Sequence, residues 1–362
     1  MANVPVKRPT ALLAFFLVSA LLMEVLLFMV GTYPPPDRIL GVVQKIFYIH
    51  VSSAFAMLLA LSCGSVFSLV DLVKQNDKSD AIARACIEVG VLFGAVVLTT
   101  GPLWGRKSWG AYWTWEPRLT LTLLTELLAI SVIAVRDLAP TSDVGRRAGS
   151  AMAVMAAPAA YLIHVAVRLW GGNHPQVIQG GGGGIQSAEM RHTFIVGVIA
   201  VLLFAGSLVA IRYRGLRLAQ TAADLRLRLS AHAIRAGRAT AGVIAVVFAL
   251  SIASPDAVAA PSSAGEAAAA MDENPAKSTA ASADKPADAK AAPAKPRDLS
   301  KYKEESVPGG LLLWLAYLVV WALMFFFVFR MIRSQTRAAA EIRDLSERLE
   351  VIEEDSAAKS QA

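Results

Sequence analysis

Five histidines are the chain's candidate metal ligands: His50, His164, His174, His192 and His232. Neutral imidazole ligates transition metals and haem iron. The stretch "WGRKSWGAYWTWEPRLT", residues 104 to 120, brings a different chemistry. It holds four of the seven tryptophans, Tyr112, and the charges Arg106, Lys107, Glu116 and Arg118. Indole and phenol rings offer apolar faces, and guanidinium groups pair with carboxylates. An ordinary interfacial belt places one or two rings at each helix end. Trp104, Trp109, Trp113 and Trp115, with Gly101, Gly105 and Gly110 allowing close backbone approach, exceed that and point to a binding platform. A large planar apolar ligand with anionic edges suits this mix. A porphyrin with two propionates is such a ligand, and its iron would need an imidazole.

These residues must be carried by membrane helices. The 362 residues are 55% hydrophobic and only 17% charged, with mean hydropathy +0.51. Runs of about 20 apolar residues recur, the length that crosses a hydrocarbon core. Helices satisfy their own backbone hydrogen bonds in lipid. The fold class expected is therefore all-α: a polytopic membrane bundle with a six-helix core and two further spans. The core spans are expected near 10–30, 46–73, 81–100, 119–135, 148–170 and 193–211. Cys63 and Cys86 lie within apolar runs without metal-ligand spacing and read as small core residues. The net charge of +7 sits mainly in loops, where it sets orientation, and implies no nucleic-acid partner.

The positive-inside rule places the N-terminus in the cytoplasm. The basic run from Arg212 to Arg238 dominates that choice. His50, at the start of the second span, the tryptophan stretch, and His174, beyond the fifth, then share the outer face. His50 and His174 would bracket a ring from opposite sides. His164 lies within the fifth span and stays open as a substitute. His192 reads as an interfacial anchor and His232 as a solvated surface residue. If the tryptophan stretch is helical, Trp109 and Trp113 share one face, and Tyr112 and Trp115 another. "WGRKSW" and "EPR" put basic groups on the wrong side of the rule, as a ligand site would.

The chain divides as follows. Residues 1–215 form the six-span domain. Residues 216–238 form a basic cytoplasmic segment, whose apolar stripe suits the membrane surface. Residues 239–260 form either a seventh span or a signal-like segment cleaved near Ala259. Residues 261–307, rich in Ala, Pro, Lys, Asp and Ser, form a disordered outer linker. Residues 308–336 hold a single accessory span. Residues 337–362 form a cytoplasmic amphipathic tail with Ile342, Leu345, Leu349 and Ile352 at coiled-coil spacing.

The tryptophan stretch resembles the signature of haem-handling membrane proteins, approximately WGxxxWGxYWxWDxRLT. "FYIHVSSA" resembles a histidine motif close to YIHVPxA. Across roughly residues 10 to 215 the chain is most similar to the haem exporter protein C family of the cytochrome c maturation system. The C-terminal module resembles protein D of that system in layout and size.

The resemblance implies a non-enzymatic role. Haem b is bound transiently at the periplasmic face of the bacterial inner membrane and delivered to a periplasmic haem chaperone. It implies His50 and His174 as axial ligands, and a platform of Trp104, Trp109, Trp113 and Trp115. Arg106, Tyr112, Glu116 and Arg118 complete the expected site. Other maturation subunits, including an ABC-type complex, and membrane lipid are the implied partners. A haem lyase acting directly on apocytochrome c is the second function class, and a haem transporter the third. This chain has Glu116 where the family pattern has Asp, and "GNHPQ" where TLHQ is usual.

Overall fold

The computed structural model describes residues 9–138, 143–174, 185, 187–252 and 308–361. The linker 261–307, the junction at Ala259 and the glycine run 180–184 lie outside the described residues. The helices are α1 Thr10–Thr32, α2 Ile46–Lys74, α3 Asp77–Trp109, α4 Pro117–Leu138, α5 Asp143–Val154, α6 Ala156–Trp170, α7 Ala188–Ile252 and α8 Gly309–Gln361. Among the described residues there is no strand beyond a single bridge between Asp37 and Gly41. Among the described residues, seven spans are long and apolar enough to cross a membrane, with α5 and α6 together making one of them. The chain is an all-α membrane bundle, as its composition requires. Contacts group Met1–Ala231 with Ser306–Ala362, and His232–Glu305 separately. The described part of the second group, 232–252, is helical.

The antiparallel pair α2–α3 forms the centre. Its Ile49, Met57, Leu61, Ile87, Val89, Phe93 and Val96 are almost fully buried. Small residues let the two backbones approach: a Cβ at Gly90 would sit 2.6 Å from the Leu61 side chain. Local chemistry sets the turn between them. Gln75 ends α2 in a left-handed conformation, and the Asn76 side chain caps α3 by accepting from the Lys78 N–H. Acids follow in the first turn of α3, at Asp77 and Asp80, where the helix dipole favours them.

The fifth expected span is two helices. α5 stops at Val154 and α6 begins at Ala156. Pro158 has no N–H to give the Val154 carbonyl. That carbonyl instead accepts the Ser65 hydroxyl of α2 at 2.7 Å.

At the end of the bundle remote from His50, charges tie five helices together. Asp71 of α2 is 3% exposed. It holds the Arg146 guanidinium of α5 and accepts the Ser150 hydroxyl at 2.9 Å. Arg136 of α4 pairs with Asp80 of α3 and donates to Ser150. Glu88 of α3 accepts from Arg84 at 3.0 Å and from Arg212 of α7 at 2.6 Å.

The basic segment expected to lie apart on the membrane surface is a continuation of α7. That helix continues well past the expected end of the sixth span at residue 211. Part of its stripe has a protein partner, while Ile234 is 56% exposed. Leu218, Ala222, Leu225 and Leu229 pack against Ile342, Leu345 and Leu349 of α8. Gln335 of α8 donates to the Ile211 carbonyl at 2.7 Å, and Arg226 pairs with Glu341. Contacts advance together along both helices, so they run parallel, with four- and three-residue spacing on each. The tail that reads as half of a coiled coil therefore finds its other half in the same chain. Ile342 is 1% exposed in this seam. Ile342→Asp should open it and speed tryptic cleavage at Arg343 and Arg348 on the order of 10-fold or more. An unchanged cleavage rate would mean that the seam does not hold the tail.

Candidate functional site

The tryptophan stretch is not one helix. α3 carries Trp104 and Trp109 and ends at Gly110, whose N–H bonds to the Arg106 carbonyl at 3.1 Å. Residues 111–116 form a loop, and Pro117 opens α4, where a missing N–H does no harm. Trp109 and Trp113 therefore do not share a helical face. Nor do the rings form a flat platform. Trp104 meets Trp109 edge-on, with centroids 5.5 Å apart at 87°. Trp113 meets Trp115 at 5.7 Å and 78°. Ring quadrupoles favour such edge contacts over a face-to-face stack, so the rings make walls.

One cavity gathers His50, His164, His174, Trp104, Trp109, Trp113 and Arg118. Its floor comes from α2 and α3, and its side from α4 and α6. The Trp109 ring lies 5.8 Å from the His174 ring. Trp104 also faces away from the cavity, packing with Leu103 against Leu312 and Leu313 of α8. Its indole N–H donates to Gln44 at 3.2 Å. Arg106, Tyr112, Trp115 and Glu116 are not among the lining residues. Arg106 lies over the Tyr112 ring at 5.3 Å and donates to the Gly110 carbonyl. Trp115 is 76% exposed. His192 is engaged elsewhere, 3.2 Å from the Tyr33 hydroxyl.

The two flanking histidines are held alike. His50 Nδ1 lies 2.9 Å from Thr100 Oγ1. That hydroxyl donates its one proton to the Val96 carbonyl at 2.6 Å, so toward His50 it can only accept. His50 therefore carries its proton on Nδ1, and its Nε2 lone pair is free. The ring lies close against α3 because position 101 is glycine; a Cβ there would be 3.0 Å from His50 Cε1.

His174 Nδ1 lies 3.3 Å from Glu116 Oε1. A carboxylate accepts only, so Nδ1 carries a proton here too, and in the neutral imidazole Nε2 is free. Glu116 Oε2 accepts the Asn173 N–H at 2.6 Å. The turn that brings residues 173 and 174 under Glu116 is made by Gly171 and Gly172, at φ +74° and +145°. Few other residues adopt such angles. Burial pushes the Glu116 carboxyl up. The hydrogen bonds from His174 and Asn173, helped by the charge of Arg118, outweigh it and hold the group below its ordinary range. Glu116, placed among the lining residues by sequence, instead stands behind a histidine and positions it.

Sequence reasoning passed over Thr100 and Arg168. Thr100 lies four residues before the tryptophan stretch. Arg168 follows His164 at the four-residue spacing of one helix face, and that spacing was the available signal. Among the described residues no group of three or more His, Cys, Asp or Glu side chains could hold a bare metal ion. Imidazoles with free Nε2 and no further ligands suit a metal whose other positions are already filled by a planar macrocycle. The buried indole N–H of Trp113, without a partner, and the apolar walls are compatible with such a ligand.

Fold and site together define a polytopic helical membrane protein with an aromatic-walled, histidine-bearing cavity. Residues 6–228 match the family model Heme exporter protein C, and the chain belongs to that family. The Heme exporter protein C of Bradyrhizobium diazoefficiens is 29% identical over 186 residues, spanning 50% of this chain and 71% of the relative. That of Escherichia coli strain K12 is 27% identical over 186 residues, spanning 51% and 74%. That of Paracoccus denitrificans is 29% identical over 140 residues, spanning 39% and 58%. The family match stops before α8.

Glu116→Ala should release the 171–174 turn. Hydrogen bonds to a charged group contribute about 1.5–3 kcal/mol. Amide exchange at Asn173 should therefore quicken on the order of 10-fold or more. Exchange at wild-type rate would show that Glu116 does not hold the turn.

Proposed function

We propose that this chain binds haem in the cavity between His50 and His174 and delivers it to a periplasmic haem chaperone during cytochrome c maturation. The observation that carries the reading is the pair of imidazoles, each with Nδ1 engaged by a protein acceptor and Nε2 left free, lining one tryptophan-walled cavity. Haem b is the cargo; its iron takes two axial ligands beyond those of the macrocycle. The chain's own part is to hold, orient and release. Thr100 and Glu116 set the tautomers of the two ligands, and Trp109 and Trp113 exclude water from the ring faces. No nucleophile or acid–base pair is assigned, because binding and delivery need none. The positive-inside rule puts this site on the periplasmic face of a bacterial inner membrane. Other maturation subunits, an ABC-type complex among them, are the expected neighbours. The accessory span in α8 abuts Trp104 and would sense the state of the cavity wall.

The test is an absorbance spectrum of the purified full-length chain. Wild type should show the low-spin spectrum of bis-histidine haem. His50→Ala and His174→Ala should each lose it, and His164→Ala should keep it. Absence of haem from wild type, or an unchanged spectrum in both variants, would overturn the assignment. Holocytochrome formed by this chain without a chaperone would replace delivery with lyase activity.

A further inference from the structure

Basic side chains near the tryptophan stretch and the histidines include Arg106, Lys107, Arg118 and Arg168. Only Arg118 and Arg168 line the cavity. One edge of the Arg118 guanidinium is docked on α6: Nε donates to the Ile163 carbonyl at 3.2 Å and Nη2 to the His164 carbonyl at 3.0 Å. That anchoring fixes where its charge sits. Arg168 lies one turn beyond His164 on the same helix and is exposed. It makes no hydrogen bond or ion pair with any described residue.

The two guanidinium groups are close enough for their charges to repel. The nearby carboxylate is Glu116, and both its oxygens are already engaged, by His174 and by the Asn173 N–H. The chain from Pro175 to Ala188 contains no Asp or Glu, so the segment after His174 brings no counter-ion. Surplus positive charge therefore stands at the edge of an apolar cavity without a dedicated carboxylate among the described residues. Like charges kept together in this way favour an anionic ligand.

We infer that Arg168 is a specificity-determining residue. With the anchored Arg118 it receives the carboxylate edge of the cavity's ligand while the tryptophan walls take the apolar body. This rests on the haem-binding reading and deepens it. The ligand class is a planar apolar macrocycle bearing carboxylates, and Arg168 separates it from the same macrocycle without them. Guanidinium forks suit this task because they bond carboxylates through two parallel N–H groups.

The experiment compares binding of haem and of haem dimethyl ester to the purified full-length chain, by absorbance titration at two salt concentrations. The ester keeps the iron and the ring and loses both negative charges. Wild type should prefer haem, and the preference should shrink at high salt. Arg168→Gln should weaken haem binding on the order of 10-fold and leave the ester's affinity unchanged. The low-spin spectrum should persist, because Arg168 is not an iron ligand. Arg168→Lys should recover part of the loss by restoring a point charge. Equal weakening of haem and ester in Arg168→Gln would make the residue merely structural and overturn the inference. No weakening of either would overturn it as well. If wild type bound neither compound, the haem-binding reading would fall and this inference with it.

Discussion

Taking an arginine or a carboxylate out of water is tolerated only with a partner in place. At the end remote from the histidines the bundle meets that condition with two sets of paired charges. Asp71, Arg146, Ser150, Arg136 and Asp80 link α2, α5, α4 and α3. Glu88, Arg84 and Arg212 extend the links to α7. Breaking one such pair leaves a buried charge uncompensated, a cost of about 3–5 kcal/mol. The sets therefore fix how these helices stand against one another, and with them every side chain at the other end.

α3 transmits that constraint. Asp80, Arg84 and Glu88 lie toward its start, and Thr100, Gly101, Trp104 and Trp109 toward its end. A rigid helix anchored by ion pairs at one end places the acceptor for His50, and two of the walls, at the other. The same demand for partners operates on the imidazoles. Each has its Nδ1 engaged, and the free Nε2 is the result. Site geometry and bundle stability thus come from one rule applied at the two ends of a helix. The C-terminal helix uses both ends as well. Leu312 and Leu313 meet Trp104, and Ile342 and Leu345 close on α7.

Apolar run length made the spans legible, and residue type made the site's chemistry legible. His50, His174, His164 and the tryptophans Trp104, Trp109 and Trp113 were singled out in sequence and line one cavity. Glu116 was legible as an oddity and not as a support, because the groups it holds are 57 and 58 residues away. Thr100 was invisible for the same reason: its value lies in a hydrogen bond to a residue 50 positions earlier. The break near Met155 could have been read from Pro158, whereas the Ser65 hydroxyl that answers it could not. The stripe on α7 and the stripe on the tail were each recognised as apolar. Nothing local says that two stripes of matching period will find each other instead of lipid.

The sequence by itself determined an all-α membrane bundle, because the length and polarity of a run decide whether a helix can cross hydrocarbon. It also determined the inventory of imidazole, indole and guanidinium groups. Only the tertiary structure decided which tryptophans are walls, which arginine is anchored, and which nitrogen of each histidine meets a protein acceptor. Those properties belong to pairs of residues far apart in the chain. They exist only once α2, α3, α4 and α6 are packed and every buried polar atom has taken, or failed to find, its partner.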